Sequence, residues 1–266
     1  MAPPANVDPP VNARYPRAVP GAAKQTWGFR LSPRQWPSLA RAVVGTPDDI
    51  ALGARVFFAV GGHDDGPTYR RLLKTSKGAS LAKNRTDYPA LFFDYDRLRA
   101  LPEGTLGHEY VRLLDERGIH PVEIITATES AYEGIDFSPD HKYIRDRLRD
   151  IHDVLHALTG YGVDMHGEGG VAAFTFAQTG NKGWAALIVL NLLIGLSTGR
   201  IDGPVVMFKG YLRGRRARYI LAENDWHRLF QLPIEQARAE LGIPPLEPYR
   251  PMEIEEAFPT VVNEAI

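Results

Sequence analysis

The sequence predicts an all-α protein with a single helical domain. Apolar residues recur at helical spacing along most of the 266 residues. Only the segment 122–126 resembles a strand, and no second strand is available to pair with it. Residues that start and stop helices bracket the apolar patterns, and no internal repeat or interior linker divides the chain. These observations favour one domain built from packed helices.

The clearest predicted helix runs from Ser138 to Gly160. Serine is a good N-cap, Pro139 suits the first helical position, and glycine is a typical stop. Between them, apolar residues recur at intervals of four and three positions: Ile144, Leu148, Ile151, Leu155 and Leu158. The other predicted helices cover residues 33–43, 47–59, 66–75, 104–118, 168–178, 184–196, 204–222 and 233–241, and residues 78–91 are predicted to form a loop.

Composition excludes several classes of function. The hydrophobic fraction of 44% and the charged fraction of 24% are ordinary for a soluble globular protein. A formal net charge of −1 gives no electrostatic reason to expect a nucleic-acid partner. Because the chain has no cysteine, disulfides, thiolate metal sites and thiol nucleophiles are excluded.

The two ends of the chain differ in composition from its middle. Residues 1–25 are rich in proline and alanine and are predicted to be a disordered leader. They resemble neither a signal peptide nor a transit peptide, which predicts a cytoplasmic location. Residues 26–243 are predicted to form the helical domain, and residues 244–266 an extended tail.

One motif carries most of the chemical information. His152 and His156 are one helical turn apart and so project from the same side of their helix, with Asp153 bordering that face. Glu168 follows after eleven residues and is predicted to start the next helix. Two imidazoles and two carboxylates suit a borderline divalent ion such as zinc, iron or manganese. The spacing therefore predicts a metal site between two consecutive helices.

The same residues have less specific interpretations. A helix face with two histidines and an aspartate is also compatible with an ordinary hydrogen-bonded polar face. His166 is either an additional ligand or, the favoured interpretation, a solvent-exposed loop histidine. Asp65 follows a histidine and an aspartate between glycines, and this segment, 61–66, is predicted to be a turn and not a second metal site.

Two further segments leave alternatives open. The apolar run 184–196 is too short to span a bilayer and predicts a buried core helix, a wall of a cavity for a long hydrocarbon, or a surface that enters the membrane interface. A basic segment predicts either a solvated helix face or a contact with anionic lipid headgroups or phosphate. Its cations are Lys209, Arg213, Arg215, Arg216 and Arg218.

The motif and several distant segments together resemble the ubiquinone biosynthesis family named Coq-four. The series His152-Asp153-x-x-His156, eleven residues and Glu168 matches the family signature in full. Further similar segments are Leu101–Tyr110, Gln178–Gly180, Gly214–Ala217, Trp226 and Arg238–Ile243, and the resemblance covers about residues 33–243. The chain departs from the family at His166 and Gly169, where aliphatic residues are usual, and in the segment 61–66.

The resemblance implies a metal at His152, Asp153, His156 and Glu168 and a hydrophobic channel for an isoprenoid tail. Zinc is the expected ion, with iron, manganese or magnesium as alternatives. The implied activity is oxidative decarboxylation at ring carbon 1 of a polyprenylated 4-hydroxybenzoate derivative, in which hydroxyl replaces carboxyl. Asp153 is the candidate to orient a ligating imidazole, and Arg149 is the candidate to hold Asp153 or the substrate carboxylate.

The resemblance also implies contacts beyond the substrate. A peripheral position on the inner membrane and association with other ubiquinone-biosynthesis proteins are expected, as is a homo-oligomer. An alternative role for the family is a non-catalytic, lipid-binding scaffold that organises the enzymes of the pathway.

Overall fold

The computed structural model describes Phe57, Glu129, Glu256 and the residue ranges 65–84, 89–118, 137–197, 201–223 and 225–253. Within these residues the chain is helical, and its one β-type pairing is an isolated bridge between Thr105 and Pro233. The α-helices are α1 (Gly66–Leu73), α2 (Ser76–Asn84), α3 (Pro89–Phe92), α4 (Tyr95–Arg99), α5 (Leu106–Arg117), α6 (Pro139–Thr159), α7 (Met165–Thr179), α8 (Lys182–Ser197), α9 (Asp202–Arg216), α10 (Trp226–Leu229) and α11 (Ile234–Glu240), with a 3₁₀ turn at Ile220–Ala222.

The predicted all-α class is confirmed, and most predicted helices lie within a few residues of the observed ones. The loop predicted at 78–91 is wrong, because α2 and α3 occupy most of it. The helix predicted at 204–222 is shorter, ending at Arg216 before an extended residue and the 3₁₀ turn. The helices predicted at 33–43 and, apart from Phe57, at 47–59 lie outside the described residues, as does the strand predicted at 122–126.

The main core lies where α5, α6, α7 and the C-terminal helices meet. Its largest fully buried side chains include Tyr110, Phe230 and Trp226, and the rings of the first two are stacked with their centroids 6.0 Å apart. Helices α7 and α9 cross in close contact at glycines. A Cβ at Gly210 would lie 2.4 Å from the carbonyl oxygen of Gly170, so no larger residue fits there without a shift.

The first half of α6 is buried although it is rich in charge. Asp65, fully buried at the start of α1, forms an ion pair with Arg145, and its carboxylate also lies 3.1 Å from Nε2 of His141 and accepts from Asn181. The prediction of an ordinary turn for this segment thus misses the role of Asp65, while residues 61–64 lie outside the described residues. These contacts fix α6 against α1 and the start of α8.

Candidate metal centre

Helix α6 presents His152 and His156 on one side, one turn apart. The helix begins as predicted, with the Ser138 side chain accepting from the backbone of His141, and ends at Gly160, whose φ of 76° is left-handed. That conformation favours glycine and turns the chain back sharply toward α7. The two imidazole rings lie edge to face, with their centroids 5.1 Å apart.

Helix α7 supplies the carboxylate of Glu168. Its N-cap is Asp164, whose side chain accepts from the backbone N–H groups of His166 and Gly167 at 3.0 and 3.1 Å. The helix therefore begins at Met165, three residues before the predicted start, and places Glu168 in its first turn. A carboxylate in this position also benefits from the positive end of the helix dipole.

The three side chains converge. The Glu168 carboxylate lies 3.3 Å from Nε2 of His156 and 3.6 Å from Nε2 of His152. One ligand atom from each residue can be chosen so that all three lie within 4.8 Å of one another. Such a spacing allows a single ion to contact all three after small side-chain adjustments.

The hydrogen bonds of His156 prepare one of its nitrogens for a metal. Its Nδ1 lies 3.1 Å from the carbonyl oxygen of Tyr161 and 3.0 Å from that of Gly162. Because a carbonyl only accepts, the proton must reside on Nδ1. Nε2 is buried and has no hydrogen-bond partner in the described structure. Nε2 faces the Glu168 carboxylate, so once it loses its proton its lone pair points to the place where an ion would lie, and the site fits a metal.

The electrostatics of the metal-free site are dominated by the histidine–glutamate pair. Burial lowers the pKa of His156, but the nearby Glu168 carboxylate outweighs it and raises this pKa to about 9. Burial likewise tends to raise the pKa of Glu168, and the two imidazoles outweigh it and hold this pKa well below its ordinary value. In the metal-free protein at neutral pH the pair is thus charged, and a metal ion that bound here would have to displace the imidazolium proton.

Asp153 lies beside the convergent trio. Burial raises its pKa, an effect that the charge of His152 partly opposes. The Asp153 charge in turn adds to the burial that raises the pKa of Tyr95, to about 12, and of Tyr110, so its carboxyl lies near both phenols. The cluster of candidate ligands consists of the other three residues. Asp153 as a ligand or orienting group stays a prediction.

Arg149, the other predicted catalytic residue, is buried among acids. Its guanidinium donates to Asp150 at 2.8 Å and to Asp146 at 3.4 Å, and it lies 3.5 Å from Glu129. These contacts bind it to its own helix and to the segment before it. Its predicted role in holding Asp153 or a substrate carboxylate stays a prediction.

Comparison with known proteins identifies the family. The sequence model described as "Coenzyme Q (ubiquinone) biosynthesis protein Coq4" matches residues 68–247, which include every candidate ligand. The chain belongs to the Coq4 family. It is 31% identical over 183 residues to the mitochondrial ubiquinone biosynthesis protein COQ4 homolog of Mus musculus, a match that covers 66% of this chain and 64% of that protein.

More distant relatives agree with this assignment. The mitochondrial COQ4 of Yarrowia lipolytica is 29% identical over 178 residues, covering 65% of this chain and 64% of the yeast protein. A crystal structure from Nostoc punctiforme, provisionally described as a ubiquinone biosynthesis protein, superimposes with a TM-score of 0.61 over 79% of this chain and 95% of that one. Its 24% identity makes it evidence for the fold alone. In the proteins of Mus musculus and Yarrowia lipolytica, the matched segment spans 64% of each chain, which is less than two thirds.

His166, one of the two residues expected to depart from the family pattern, is buried against α9. The expectation of an exposed loop histidine is wrong, because His166 is in the first turn of α7 and only 2% exposed. Its Nδ1 donates to the carbonyl of Arg250 at 2.8 Å. A Cβ at Gly203 of α9 would lie 3.1 Å from the imidazole, so a glycine opposite makes room for this larger residue.

At Gly169, the second of these positions, the sizes of the two facing residues are reversed. A Cβ at Gly169 would lie 3.1 Å from Cγ of Met207, which is buried in α9. A small residue on α7 here faces a long, flexible one on α9. Both departures therefore lie in the contact between these two helices, and neither removes a candidate ligand.

The apolar surroundings of the site differ from the prediction. A small apolar pocket adjoins His152, and its lining comes from α6, α7 and the 3₁₀ turn: Leu148, Ile151, Leu155, Thr175, Gln178, Thr179, Ile220 and Leu221. No residue of the run 184–196 lines it. That run contacts the site through Trp184, whose ring is stacked on His152 with the centroids 5.9 Å apart. The buried core helix expected for this run is wrong for its described side chains, since Val189 is 54% exposed, and the cavity wall expected from the run stays a prediction.

The sequence interpretation did not single out Trp184 or the C-terminal segment that reaches Asp164. Trp184 was counted only as one more apolar residue of its run. A histidine and an indole 32 positions apart give no periodic signal, so their stacking depends on the tertiary fold.

Proposed function

We propose that this chain is a metal-dependent enzyme of ubiquinone biosynthesis that acts on a polyprenylated 4-hydroxybenzoate derivative. The reaction would replace the carboxyl group at ring carbon 1 with hydroxyl and release carbon dioxide, with dioxygen as the oxidant. One oxygen atom would form the hydroxyl, and the other would leave as water with two electrons and two protons from an external reductant. The observation that supports it best is the convergence of His152, His156 and Glu168, with the buried Nε2 of His156 facing the Glu168 carboxylate at 3.3 Å. Membership of the Coq4 family supports the pathway.

His152, His156 and Glu168 would hold the ion, which supplies Lewis-acid polarisation of a bound oxygen when present. The protein's own groups prepare the site. Hydrogen bonds at Nδ1 keep His156 in the tautomer that offers Nε2. Glu168 keeps 45% of its side chain exposed, so the centre has an open side from which a ring carboxylate would approach. Asp153, whose pKa burial raises, is suited to hold a proton beside the metal.

Elemental analysis of the purified chain tests the metal. Wild type should contain close to one equivalent of zinc or of another divalent ion, and His156→Ala should contain almost none. His227→Ala is the matched control, because His227 is an exposed histidine on α10, away from the cluster. The second step is an assay of each protein on a prenylated 4-hydroxybenzoate with dioxygen, with and without added metal. A wild-type protein that retains no divalent ion would refute the metal proposal.

The competing proposal is a lipid-binding scaffold whose metal is structural. The exposed apolar face described next favours it, because such a face suits association better than catalysis. Other ubiquinone-biosynthesis proteins and further copies of this chain are its proposed partners. A structural ion should be closed to small ligands, and its removal should unfold α6 and α7. A catalytic ion should exchange, bind small anions and leave the helices folded when chelated.

We also propose that α9 is the surface that contacts a membrane. Four exposed apolar residues lie along one side of α9 and its N-cap: Ile201, Val205, Phe208 and Leu212. Val189 and Leu192 of α8 are exposed as well. At the C-terminal end of the stripe, Arg215 and Arg216 are exposed cations that suit anionic headgroups. None of the described helices has the length and apolar character needed to cross a membrane.

The basic segment contributes less than its five cations suggested. Arg213 is buried and donates to the carbonyls of Thr159 and Pro244, so it is a structural residue. Lys209 lies 2.6 Å from Glu247. The lipid-facing charge would therefore come from the end of α9.

Vesicle co-sedimentation tests the membrane surface. Phe208→Ser, with Phe208 63% exposed, should weaken binding to vesicles that contain phosphatidylglycerol. Leu73→Ser is the matched control, since Leu73 is an exposed apolar residue on α1, outside the stripe. If the two variants bind equally, the surface is wrongly assigned. A change of oligomeric state in Phe208→Ser alone would point to a second copy as the occupant.

A further inference from the structure

The turn between α6 and α7 contacts both of the helices that carry the candidate ligands. It runs from Gly160 to Asp164, and two of its carbonyls, those of Tyr161 and Gly162, receive the Nδ1–H of His156. Asp164 caps α7 and so sets the position of the first helical turn, which carries Glu168. A residue that holds this turn in place therefore helps to orient His156 before the turn and Glu168 after it.

A segment from the C-terminal end of the chain covers this turn. It comprises residues 244–253, which lack helical structure, and we name it the strap. The backbone of Met252 pairs with the turn in both directions. Its N–H donates to Asp164 at 3.1 Å, and its carbonyl accepts from Met165 at 2.8 Å. The carbonyl of Arg250 accepts from His166. The contacts of this tail therefore tie it closely to the centre.

Tyr249 connects the strap to two residues of the turn, Gly162 and Asp164. Its hydroxyl accepts from the backbone N–H of Gly162 at 2.8 Å and donates to the carboxylate of Asp164 at 2.8 Å. Its ring also packs edge to face on Tyr161, with the centroids 5.6 Å apart. Burial raises the pKa of Tyr249, so the hydroxyl keeps its proton at neutral pH and can make both hydrogen bonds.

Space in the turn is too tight for an alternative arrangement. A Cβ at Gly162 would lie 2.8 Å from the Asp164 carboxylate and 3.3 Å from the Tyr249 hydroxyl. The strap is also anchored at its start, where Arg213 links the carbonyl of Pro244 to that of Thr159 at the end of α6. The Tyr249 hydroxyl is thus held at a fixed place against the backbone of Gly162.

We propose that Tyr249 is a positioning residue for the metal centre, acting through the turn on His156 and through Asp164 on Glu168. The proposal rests on the metal site of the proposed function. Tyr249 lies outside the segment that matches the Coq4 family, which ends at residue 247. Loss of an outer group that orients a metal ligand typically weakens metal binding by about 10- to 100-fold, and that is the loss we expect on removing this hydroxyl.

The test compares Tyr249→Phe with Tyr211→Phe in the full-length chain. Both changes remove one hydroxyl and keep the ring, and Tyr211 packs on Phe176 at the other end of α7. Zinc affinity is measured for wild type and both variants by titration against a chromogenic chelator. Tyr249→Phe should bind zinc about 10- to 100-fold more weakly, while Tyr211→Phe should match wild type.

A second readout separates positioning from a loss of stability. In histidine side-chain ¹H–¹⁵N spectra of the metal-free proteins recorded above pH 9, where His156 is neutral, wild type should show it protonated at Nδ1, and Tyr249→Phe should show a mixture of tautomers. The thermal midpoint of the metal-free variant should fall by no more than a few degrees. Asp164→Asn keeps an effective N-cap but weakens the bond from Tyr249. If Tyr249 acts partly through Asp164, the two losses should not be independent. The fold-loss of zinc affinity in the double variant Tyr249→Phe/Asp164→Asn should then be smaller than the product of the fold-losses in the two single variants.

The outcomes distinguish the two proposals. Equal zinc affinity in wild type and Tyr249→Phe would overturn the positioning role and leave the metal site intact. Failure of wild type to bind zinc, iron, manganese or magnesium would overturn the metal site itself. If Tyr249→Phe does not fold, Asp164→Asn decides alone, and wild-type affinity in that variant would overturn the inference.

Discussion

The two halves of α6 bury charge in opposite ways. In the first half, buried ions face one another: Arg145 pairs with Asp65, and Arg149 pairs with Asp146 and Asp150. In the second half, His156 is as deeply buried, yet its Nε2 has no hydrogen-bond partner and lies only 3.3 Å from Glu168. One helix thus carries a network of paired buried charges followed by a site where two imidazoles face one partly exposed carboxylate.

This difference separates structural from chemical use of the same residue types. A buried ion that is fully paired is costly to disturb but has no capacity left for a ligand. The second half instead turns two imidazoles toward one partly exposed carboxylate, and an ion that bound there would displace the proton of His156. The first half therefore fixes the helix, and the second half is where we propose that an ion binds.

Removal of one partner in the first half should have the largest effect. Asp65→Ala would leave the buried Arg145 without its counter-charge, which costs about 3–5 kcal/mol in the free energy of unfolding. Urea denaturation measures the loss. Asp96→Ala is the control, because it breaks the ion pair with Arg99 on the exposed surface, where we expect no measurable change. A small effect at Asp65 would mean that the first half is not the rigid base described above.

In the second half, loss of a ligand should leave the fold intact and abolish binding. Glu168→Gln preserves shape but removes the negative charge that faces both imidazoles. We expect zinc affinity to fall by more than about 100-fold, beyond the usual effect of an outer group. The unfolding free energy of the metal-free protein should change far less than in Asp65→Ala. Wild-type zinc affinity in this variant would remove Glu168 from the ligand set.

The pH dependence of binding should reveal the proton that the metal displaces. The pKa of His156 is about 9 in the metal-free protein, above the ordinary value of 6.5 for histidine. Zinc must expel this proton, so affinity should rise about tenfold per pH unit from about 7 to 9 and level off above. Calorimetry in buffers of different ionisation enthalpy counts the released proton. Affinity that is independent of pH in this range would show that His156 is already neutral.

The same shift predicts the opposite trend for stability without metal. Because the folded pKa lies above the unfolded one, the contribution of the His156–Glu168 pair is fully present below pH 6.5. It is lost as pH rises through about 9. Urea midpoints of the chelated wild type should therefore decrease over this window, while those of His156→Ala should lack this component. A pH-independent difference between these two proteins would contradict the raised pKa.

The sequence predicts the second half of α6, which carries His152 and His156, better than the structure that packs around it. The 3.6-residue period and the caps at Ser138 and Gly160 place His152 and His156 on one face without any tertiary information. The position of Glu168 followed from short-range spacing as well. Local rules therefore suffice for the ligand trio.

Long-range contacts escaped the sequence interpretation. Asp65 pairs with Arg145 across 80 positions, and Tyr249 reaches Asp164 across 85. No periodicity encodes such pairs, and a tail rich in proline reads only as extended chain. The burial of His166 escaped for a related reason. It depends on Asp164 as the cap, which starts α7 earlier than the apolar pattern suggests.

The smallest expected effect concerns the departure at Gly169, which adjoins the ligand Glu168 without contacting the metal. In Gly169→Ala the new Cβ would lie 3.1 Å from Cγ of Met207, which must shift by a few tenths of an ångström. Alanine in a helix gains up to about 1 kcal/mol over glycine, and this offsets the adjustment. We expect unfolding free energy within about 1 kcal/mol of wild type and unchanged zinc affinity. Gly210→Ala is the contrasting variant, because its Cβ would lie 2.4 Å from the rigid carbonyl of Gly170. A marked loss of zinc affinity in Gly169→Ala would show that the contact between α7 and α9 also positions Glu168. The second half of α6, with His152 and His156, would then depend on packing as much as the first half does.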